Sequence, residues 1–225
     1  MSMTTSYDGH VSPGGPTAVR ELEHATIRKI AVSQMSNNVY LLTCRATGHQ
    51  LLIDAADDTD RIRELVDEGT GRLDAVATTH QHWDHVRALE DVVAAYSPTT
   101  YAGADDAGAL PVHPDVLLHD GDTVQVGELV LSVGHVRGHT PGGIVLAYDD
   151  PAGDTHLFTG DSLFPGGVGA TNRYDYQSFP QLIDDVEARV FGRYGDTTWF
   201  YPGHGDDSTL GTERPHLPEW RTRGW

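Results

Sequence analysis

The sequence is poor in cysteine, and Cys44 is the only one among its 225 residues. A single cysteine excludes an intrachain disulfide framework, which requires pairs. Cys44 lies within an apolar run that has the pattern of a strand, where a small buried thiol is the ordinary case. We therefore assign it no catalytic role.

Basic side chains are also scarce, and Lys29 is the only lysine. Lys and Arg number 15 against 33 Asp and Glu, which gives a formal net charge of −18 at pH 7. Nucleic-acid binding depends on clustered cations that displace counterions from phosphates. The composition therefore argues against a nucleic-acid partner. The partner that we expect is a small-molecule substrate. Two bound divalent cations would offset part of the negative charge.

Long apolar runs are absent as well. No stretch approaches the ~20 apolar residues that a membrane-spanning helix needs, so we expect no membrane partner. Residues 1–19, MSMTTSYDGHVSPGGPTAV, contain neither a basic segment nor an apolar one and do not have the pattern of a secretory signal. The expected location is the cytoplasm.

The chain divides into a short tail and one predicted domain. Residues 1–23 are rich in Gly, Pro, Ser and Thr without periodicity, which predicts a flexible tail. Residues 24–225 are predicted to form a single domain, because a chain of this length suits one large core. Periodicity predicts strands at 27–32, 38–45, 50–55, 73–78, 99–102, 123–136, 143–148, 155–158 and 197–201, and helices at 59–68, 84–96 and 179–191.

The order of these elements predicts an α+β fold in four layers. Both halves of the chain are rich in strands, and both contribute helices. A sheet buries one face and a helix buries one stripe by packing against another element. Two sheets in the middle with helices on their outer faces, an α/β/β/α sandwich, satisfy this requirement.

The segment 79–85, Thr-His-Gln-His-Trp-Asp-His, is unusually dense in metal-binding side chains. It follows a predicted strand directly, and alternation in an extended segment points the rings of His80 and His82 the same way. Asp84 and His85 come where a helix is predicted to begin, so they can face a neighbouring ion. Imidazole and carboxylate ligands suit zinc, iron and manganese. A histidine-rich surface loop is the alternative, but the density of ligands at a strand end favours a metal site.

Three later turns each begin where a predicted strand ends, and each offers one metal-ligand side chain. They contain His139 in Gly-His-Thr-Pro-Gly, Asp161 in Thr-Gly-Asp-Ser, and His204 in Pro-Gly-His-Gly. The flanking glycines let the backbone turn sharply and approach an ion closely. Each turn alone is more often a plain turn than a ligand, but the ordered set of four motifs indicates a metal centre.

The four motifs resemble those of the metallo-β-lactamase superfamily, specifically its branch similar to hydroxyacylglutathione hydrolase (glyoxalase II). The resemblance spans roughly residues 25–214. The residues that match are His80, His82, Asp84, His85, His139, Asp161 and His204. The family implies one ion held by His80, His82 and His139, a second held by Asp84, His85 and His204, and Asp161 bridging both. It also implies that Asp54 orients a ligand imidazole from outside the ligand set.

The resemblance implies a metal-dependent hydrolase with a binuclear, zinc-type centre, and iron or manganese fits the same ligands. Coordination lowers the pKa of water to about 7, so a metal-bound hydroxide would attack a thioester or a related ester or lactone. Asp84 would act as the catalytic carboxylate that orients the hydroxide. Asn172, Arg173 and Tyr174 follow the Asp161 motif and are candidate substrate contacts, with an ordered surface loop as the alternative.

Two departures from that branch leave the exact substrate open. Gly143-Ile144 follows the His139 motif where hydroxyacylglutathione hydrolases commonly carry a second histidine, and residues 166–172 differ from the Gly-Arg-Thr-Asp pattern of many single-domain relatives.

Two other functions stay open. A mononuclear iron enzyme like the persulfide dioxygenases would use Asp161 with two of the histidines His80, His82 and His139. It ranks second because the Gly-Arg-Thr-Asp segment usual in that group is absent. A non-catalytic metal-binding module ranks third, since a mere binder has no evident use for seven retained ligands. The oligomeric state stays open.

Overall fold

The strands form two large sheets and a small ribbon in the computed structural model, which describes residues 7–151 and 153–224. The first sheet has the order β1-β2-β3-β4-β5-β6-β7 and the second the order β15-β14-β11-β10-β9-β8. The strands of the first sheet are β1 (Ala18–Glu21), β2 (Ala25–Val32), β3 (Asn37–Cys44), β4 (Gln50–Ile53), β5 (Ala75–Thr78), β6 (Thr99–Gly103) and β7 (Val116–Leu118). Those of the second are β8 (Thr123–Val126), β9 (Leu129–His135), β10 (Ile144–Asp149), β11 (Thr155–Gly160), β14 (Trp199–Pro202) and β15 (Ser208–Thr209), and β12 (Leu163–Phe164) pairs with β13 (Gly167–Val168) in the ribbon.

Five α-helices accompany the sheets in the described part of the chain. They are α1 (Thr59–Gly69), α2 (Leu89–Tyr96), α3 (Phe179–Asp185), α4 (Leu210–Glu213) and α5 (Leu217–Arg223). The side chain of Asp58 caps α1 by accepting the backbone N–H of Arg61, and the helix ends at Gly69. None of the described helices has the length and apolar character needed to cross a membrane.

Three clusters of buried side chains define the layers. One lies between the sheets and joins Leu42 of the first to Phe158 and Tyr201 of the second. Another packs α1 and α2 onto the outer face of the first sheet, and a third packs α3 and α5 onto the outer face of the second. This arrangement confirms the predicted α+β fold with an α/β/β/α sandwich.

Strand β3 illustrates how the sequence builds these layers. All eight of its residues are buried, because helices cover one face and the second sheet covers the other. Tyr40 and Leu42 belong to the cluster between the sheets, whereas Val39 and Leu41 belong to the cluster beneath the helices. Successive side chains of a strand point to opposite faces, so one apolar run supplies both clusters.

The predicted flexible tail over residues 1–23 is wrong from Tyr7 onwards, where the described residues pack against the fold. Ala18–Glu21 forms β1 and pairs antiparallel with β2. Further upstream, the ring of Tyr7 lies 6.1 Å from that of Trp199, edge to face. Residues 1–6 lie outside the described residues. Glycine and proline mark turns in this segment, and the short strand has too few residues to show a period. That residues 24–225 form a single domain stays a prediction.

The predicted helix at 84–96 is wrong at its start. Trp83–His85 forms a single 3₁₀ turn, and α2 begins only at Leu89. Between them, the backbone N–H groups of Arg87 and Ala88 donate to the carbonyls of residues 56 and 55 instead of continuing a helix. The predicted metal-ligand segment therefore ends in a 3₁₀ turn and is separate from α2.

Two further predictions need correction. The predicted strand at 123–136 is a hairpin, because Gly127, at φ 60°, turns the chain between β8 and β9. The predicted helix at 179–191 is α-helical only to Asp185 and continues as a π-helix over Val186–Phe191.

Candidate metal centre

The candidate ligands follow the ends of strands that meet at one edge of the sandwich. Asp54 follows β4, His80 follows β5, His139 follows β9, Asp161 follows β11 and His204 follows β14. β4 and β5 pair in parallel, as do β11 and β14, so each pair ends on the same side. A backbone bridge between Asn37 and His204 joins the two sheets at this edge.

His80, His82 and His139 form the first donor group, with ligand atoms all within 4.8 Å of one another. The Nδ1 atom of His139 lies 2.8 Å from the carbonyl oxygen of Ala170, and Nδ1 of His80 lies 3.0 Å from the hydroxyl of Thr79. The Nε2 atoms of His80 and His139 are buried without a hydrogen-bond partner among the described residues. Buried nitrogens without partners are costly in a folded protein, and a metal ion would satisfy them.

Asp84, His85 and His204 form the second group, again within 4.8 Å. The side-chain amide of Asn37 donates to Oδ2 of Asp84 at 3.0 Å. Nδ1 of His85 lies 2.9 Å from Oδ2 of Asp54, and Nδ1 of His204 lies 2.9 Å from the carbonyl oxygen of Met35. Each imidazole is thus held by one nitrogen and presents the other to the group.

Asp161 lies between the two groups. Its Oδ2 is 3.5 Å from Nε2 of His139 and 3.5 Å from Nε2 of His204, while its Oδ1 is 3.3 Å from Nε2 of His85. Asp54 also approaches His80 and His85, and these three form another possible donor set. Oδ1 of Asp54 accepts the backbone N–H of Thr79, and Oδ2 accepts the hydroxyl of Thr79, both at 2.7 Å. Oδ2 also faces His85. The predicted orienting role of Asp54 is therefore the one that its contacts fit.

Burial controls the charge of the first group. It lowers the pKa of His80 well below the usual value, and the neighbouring His85 adds to the effect. Burial also lowers the pKa of His82 to about 4 and lowers that of His139. These imidazoles are neutral at pH 7, which is the form that binds a metal.

Attraction between imidazoles and carboxylates controls the protonation of the second group. Burial alone would lower the pKa values of His85 and His204, but the carboxylates around them outweigh it and raise that of His204 to about 9. Burial alone would raise the pKa values of Asp84 and Asp161, but hydrogen bonds from His204 and the charge of His85 outweigh it and lower both. Protons thus balance the carboxylates in the metal-free protein, and a divalent cation would take their place.

A cavity of about 330 Å³ opens onto both donor groups. It is lined by Met35, His82, Trp83, Asp84, His139, Asp161, Phe164, Ala170, Arg173, Tyr174 and His204. Of the predicted substrate contacts, Arg173 and Tyr174 lie on its wall, whereas Asn172 is exposed and is not among the lining residues.

Sequence reasoning missed Tyr176 and Gln177. The hydroxyl of Tyr176 lies 3.0 Å from Nε2 of His82, and its ring stacks on that of Tyr174 at 5.2 Å. Gln177 accepts the backbone N–H of Arg173 at 2.8 Å and donates to the carbonyl of His139 at 2.9 Å, so it fixes the loop to the first donor group. The only signal in the sequence that could have indicated this site was the spacing of two tyrosines, Tyr174 and Tyr176, two positions apart.

Comparisons with known proteins give consistent matches. Residues 33–210 match the family model described as Metallo-beta-lactamase superfamily. A hydroxyacylglutathione hydrolase from Methylobacillus flagellatus is 33% identical over 159 residues, covering 68% of this chain and 60% of that enzyme. The structure of ETHE1 from Myxococcus xanthus matches with a TM-score of 0.76 and 30% identity, covering 87% of this chain and 84% of the other. The structure of TTHA1623 in a di-iron-bound form matches with a TM-score of 0.68 and 28% identity, covering 83% of this chain and 96% of the other.

Proposed function

The chain belongs to the metallo-β-lactamase superfamily, and we propose that it is a hydrolase with a binuclear, zinc-type centre that cleaves a thioester or a related ester or lactone. The observation that carries the proposal is the pair of donor groups joined by Asp161 at the floor of one cavity. His80, His82 and His139 would hold one ion, and Asp84, His85 and His204 the other. Asp161 would bind both.

The metal ions would supply a deprotonated water as nucleophile and would polarise the carbonyl that it attacks. Asp84 is suited to orient that water, because its pKa is lowered and it is a carboxylate at pH 7. Asn37 holds Oδ2 of Asp84 at 3.0 Å, which fixes the plane of the carboxylate. Asp84 would therefore offer this nucleophile a charged hydrogen-bond acceptor in a set orientation.

The cavity wall suits a substrate with an apolar part. Trp83 and Tyr174 are about half exposed, at 54% and 44%, and Met35 is 41% exposed beside them. Arg173 adds a positive charge at the same wall. A thiolate needs little protonation to leave, so the lack of an obvious general acid among these residues fits a thioester.

The relatives support a hydrolase but do not specify the substrate. The chain spans 60% of the length of the Methylobacillus flagellatus hydroxyacylglutathione hydrolase. We propose a small-molecule substrate and a cytoplasmic location. Iron remains the alternative metal, because the similar TTHA1623 was solved in a di-iron-bound form, and an iron dioxygenase is the second candidate function.

The first test measures metal per chain by elemental analysis, together with hydrolysis of a set of thioesters. About two zinc ions per chain and thioester turnover that Asp84→Ala reduces by about 10²-fold or more would support the proposal. His49→Ala is a matched control, because His49 lies in the hairpin after β3, at the end of that strand opposite Asn37. One iron per chain, with O₂ uptake on a persulfide and no thioester turnover, would replace the hydrolase by the dioxygenase.

A further inference from the structure

The only lysine of the chain is completely buried. The side chain of Lys29 has 0% exposure, and its ammonium donates to Asp207 Oδ1 at 2.6 Å, to the carbonyl of Gly9 at 2.7 Å and to the carbonyl of Gly205 at 2.8 Å. These three acceptors match the three protons of an ammonium group. Burying a charge is costly unless it is paired and fully hydrogen-bonded, so each acceptor is needed.

Asp207, the partner of Lys29, is equally buried. Its other oxygen, Oδ2, accepts from the hydroxyl of Tyr7 at 2.6 Å and from the indole N–H of Trp199 at 3.3 Å. Tyr7 and Gly9 thus supply one bond to each member of the ion pair. The N-terminal segment, Tyr7–His10, thus completes the hydrogen bonding of the charged pair, which Gly205 and Trp199 supply in part.

The same ion pair lies beside the turn that carries His204. Lys29 binds the carbonyl of Gly205, and the side chain of Asn38 donates to that carbonyl and to the carbonyl of Pro202, both at 2.9 Å. The turn is therefore held on both sides of His204. In this turn, Nε2 of His204 lies 3.4 Å from Oδ2 of Asp84.

The N-terminal segment contacts this turn closely. Gly9 has φ +78°, and a Cβ there would lie 2.8 Å from the Cβ of Asp207, so only glycine fits without a shift. His10 adds an exposed contact, with Nδ1 2.7 Å from Oδ1 of Asp206. Segment and turn behave as one packed unit.

We propose that the N-terminal segment and the Lys29–Asp207 pair position His204 for the second metal ion. His204 is the ligand furthest along the chain and follows a short strand, so its turn needs support from outside its own sheet. This inference rests on the proposed binuclear function. It makes Tyr7 and Lys29 positioning residues, which touch neither metal nor substrate.

Stepwise zinc titration of metal-depleted protein against a competing chelator tests the proposal. We expect Tyr7→Phe, which removes one hydroxyl and keeps the ring, to weaken the second zinc by about tenfold and to leave the first unchanged. The double variant Lys29→Met/Asp207→Leu removes both charges together, which avoids an unpaired buried ion. It should weaken the second zinc by about 10–100-fold. Tyr194→Phe, on the outer face of the second sheet, is the matched control.

Amide hydrogen exchange on metal-free protein gives a readout that needs no metal. Exchange at residues 203–207 should accelerate in Tyr7→Phe, while exchange in β2 and β3 stays as in the wild type. Unchanged exchange at 203–207, or an unchanged second zinc affinity in both variants, would overturn the positioning role. A wild type that binds fewer than two ions counts instead against the binuclear function, and the exchange result still decides the positioning role.

Discussion

The carboxylate of Asp54 joins a strand end to a metal-ligand candidate, because its Oδ2 lies 2.9 Å from Nδ1 of His85. Its other oxygen accepts the backbone N–H of Thr79 at 2.7 Å, directly before His80. Asp54 itself has φ 59°, a left-handed conformation that is unusual for a residue other than glycine. One side chain in a strained position thus holds both His85 and the backbone directly before His80.

Replacing this carboxylate should weaken metal binding. In Asp54→Asn, an amide N–H faces Nδ1 of His85, or the amide turns and leaves Thr79 without its acceptor. We expect metal affinity to fall by about 10–100-fold, as for other partners of ligand histidines. Zinc titration against a chelator measures this change. Asp57→Asn is the control, because Asp57 pairs at the surface with Arg87, and equal losses in both variants would contradict the prediction.

Tyr176 should strengthen metal binding by the first donor group, although it is not itself a candidate ligand. Its hydroxyl lies 3.0 Å from Nε2 of His82, so Tyr176→Phe frees the ring to rotate. We expect the first metal ion to bind up to about tenfold more weakly, the value of one hydrogen bond. Tyr174→Phe is the comparison, since the ring of Tyr174 stacks on His82 at 5.1 Å and phenylalanine keeps that contact. If both variants bind metal like the wild type, the hydroxyl has no positioning role.

Gly203 should tolerate no side chain. A Cβ there would collide with Oδ1 of Asp161 and would lie 2.7 Å from Cε1 of His85. Gly203→Ala should therefore displace both ligand candidates, lower the metal content per chain and cost about 1–3 kcal/mol of stability from overpacking. Elemental analysis and urea unfolding measure the two effects. At Gly195 an added Cβ meets nothing within 4 Å, so Gly195→Ala should keep its metal.

His156 should make the protein sensitive to mild acid. Burial lowers the pKa of His156 to about 4 from 6.5, and its Nδ1 lies 2.9 Å from the hydroxyl of Tyr201. The unfolded chain takes up this proton first, so the stabilisation is complete above pH 6.5 and is lost as the pH falls towards 4. The complete loss is about 3 kcal/mol, at 1.36 kcal/mol per pKa unit.

His156→Gln should remove the contribution of His156 to the pH dependence of the free energy of unfolding. We expect the free energy of unfolding of the variant to fall less steeply than that of the wild type between pH 6.5 and pH 4, whatever its value at pH 7. Urea unfolding at several pH values gives both curves. His49→Gln, in the hairpin after β3, should keep the slope of the wild type, and an identical slope in His156→Gln would refute the assignment.

Much of the centre could be predicted because its ligands are local signals. His80, His82, Asp84 and His85 lie in one short segment after a strand, and His139, Asp161 and His204 each sit in a glycine-flanked turn after a strand. The structure brings these residues together as expected. Among the predicted substrate contacts, Arg173 and Tyr174 lie on the cavity wall, and Asn172 is not among the lining residues.

The errors in the fold arose where tertiary contacts override local patterns. The segment 84–96 has a helical period, yet its first turn gives its N–H groups to carbonyls near β4 and only Leu89–Tyr96 is α-helical. Residues 18–21 have no clear period, yet they form a strand because β2 offers them an edge. The carbonyl partners of Arg87 and Ala88 lie more than 30 positions back in the sequence, whereas β2 is the next strand after residues 18–21.

The sequence by itself determined the types of candidate ligand, their order and the layered fold, because these depend on side-chain chemistry and on periodicity within short segments. Only the tertiary structure decided which donors meet and what holds them. His85 and His204 are 119 positions apart, and their Nε2 atoms lie 3.2 Å from each other. Lys29 and Asp207, 178 positions apart, form the buried pair beside that contact. Such distances depend on how the strands pair and how the two sheets pack, and no local pattern encodes them.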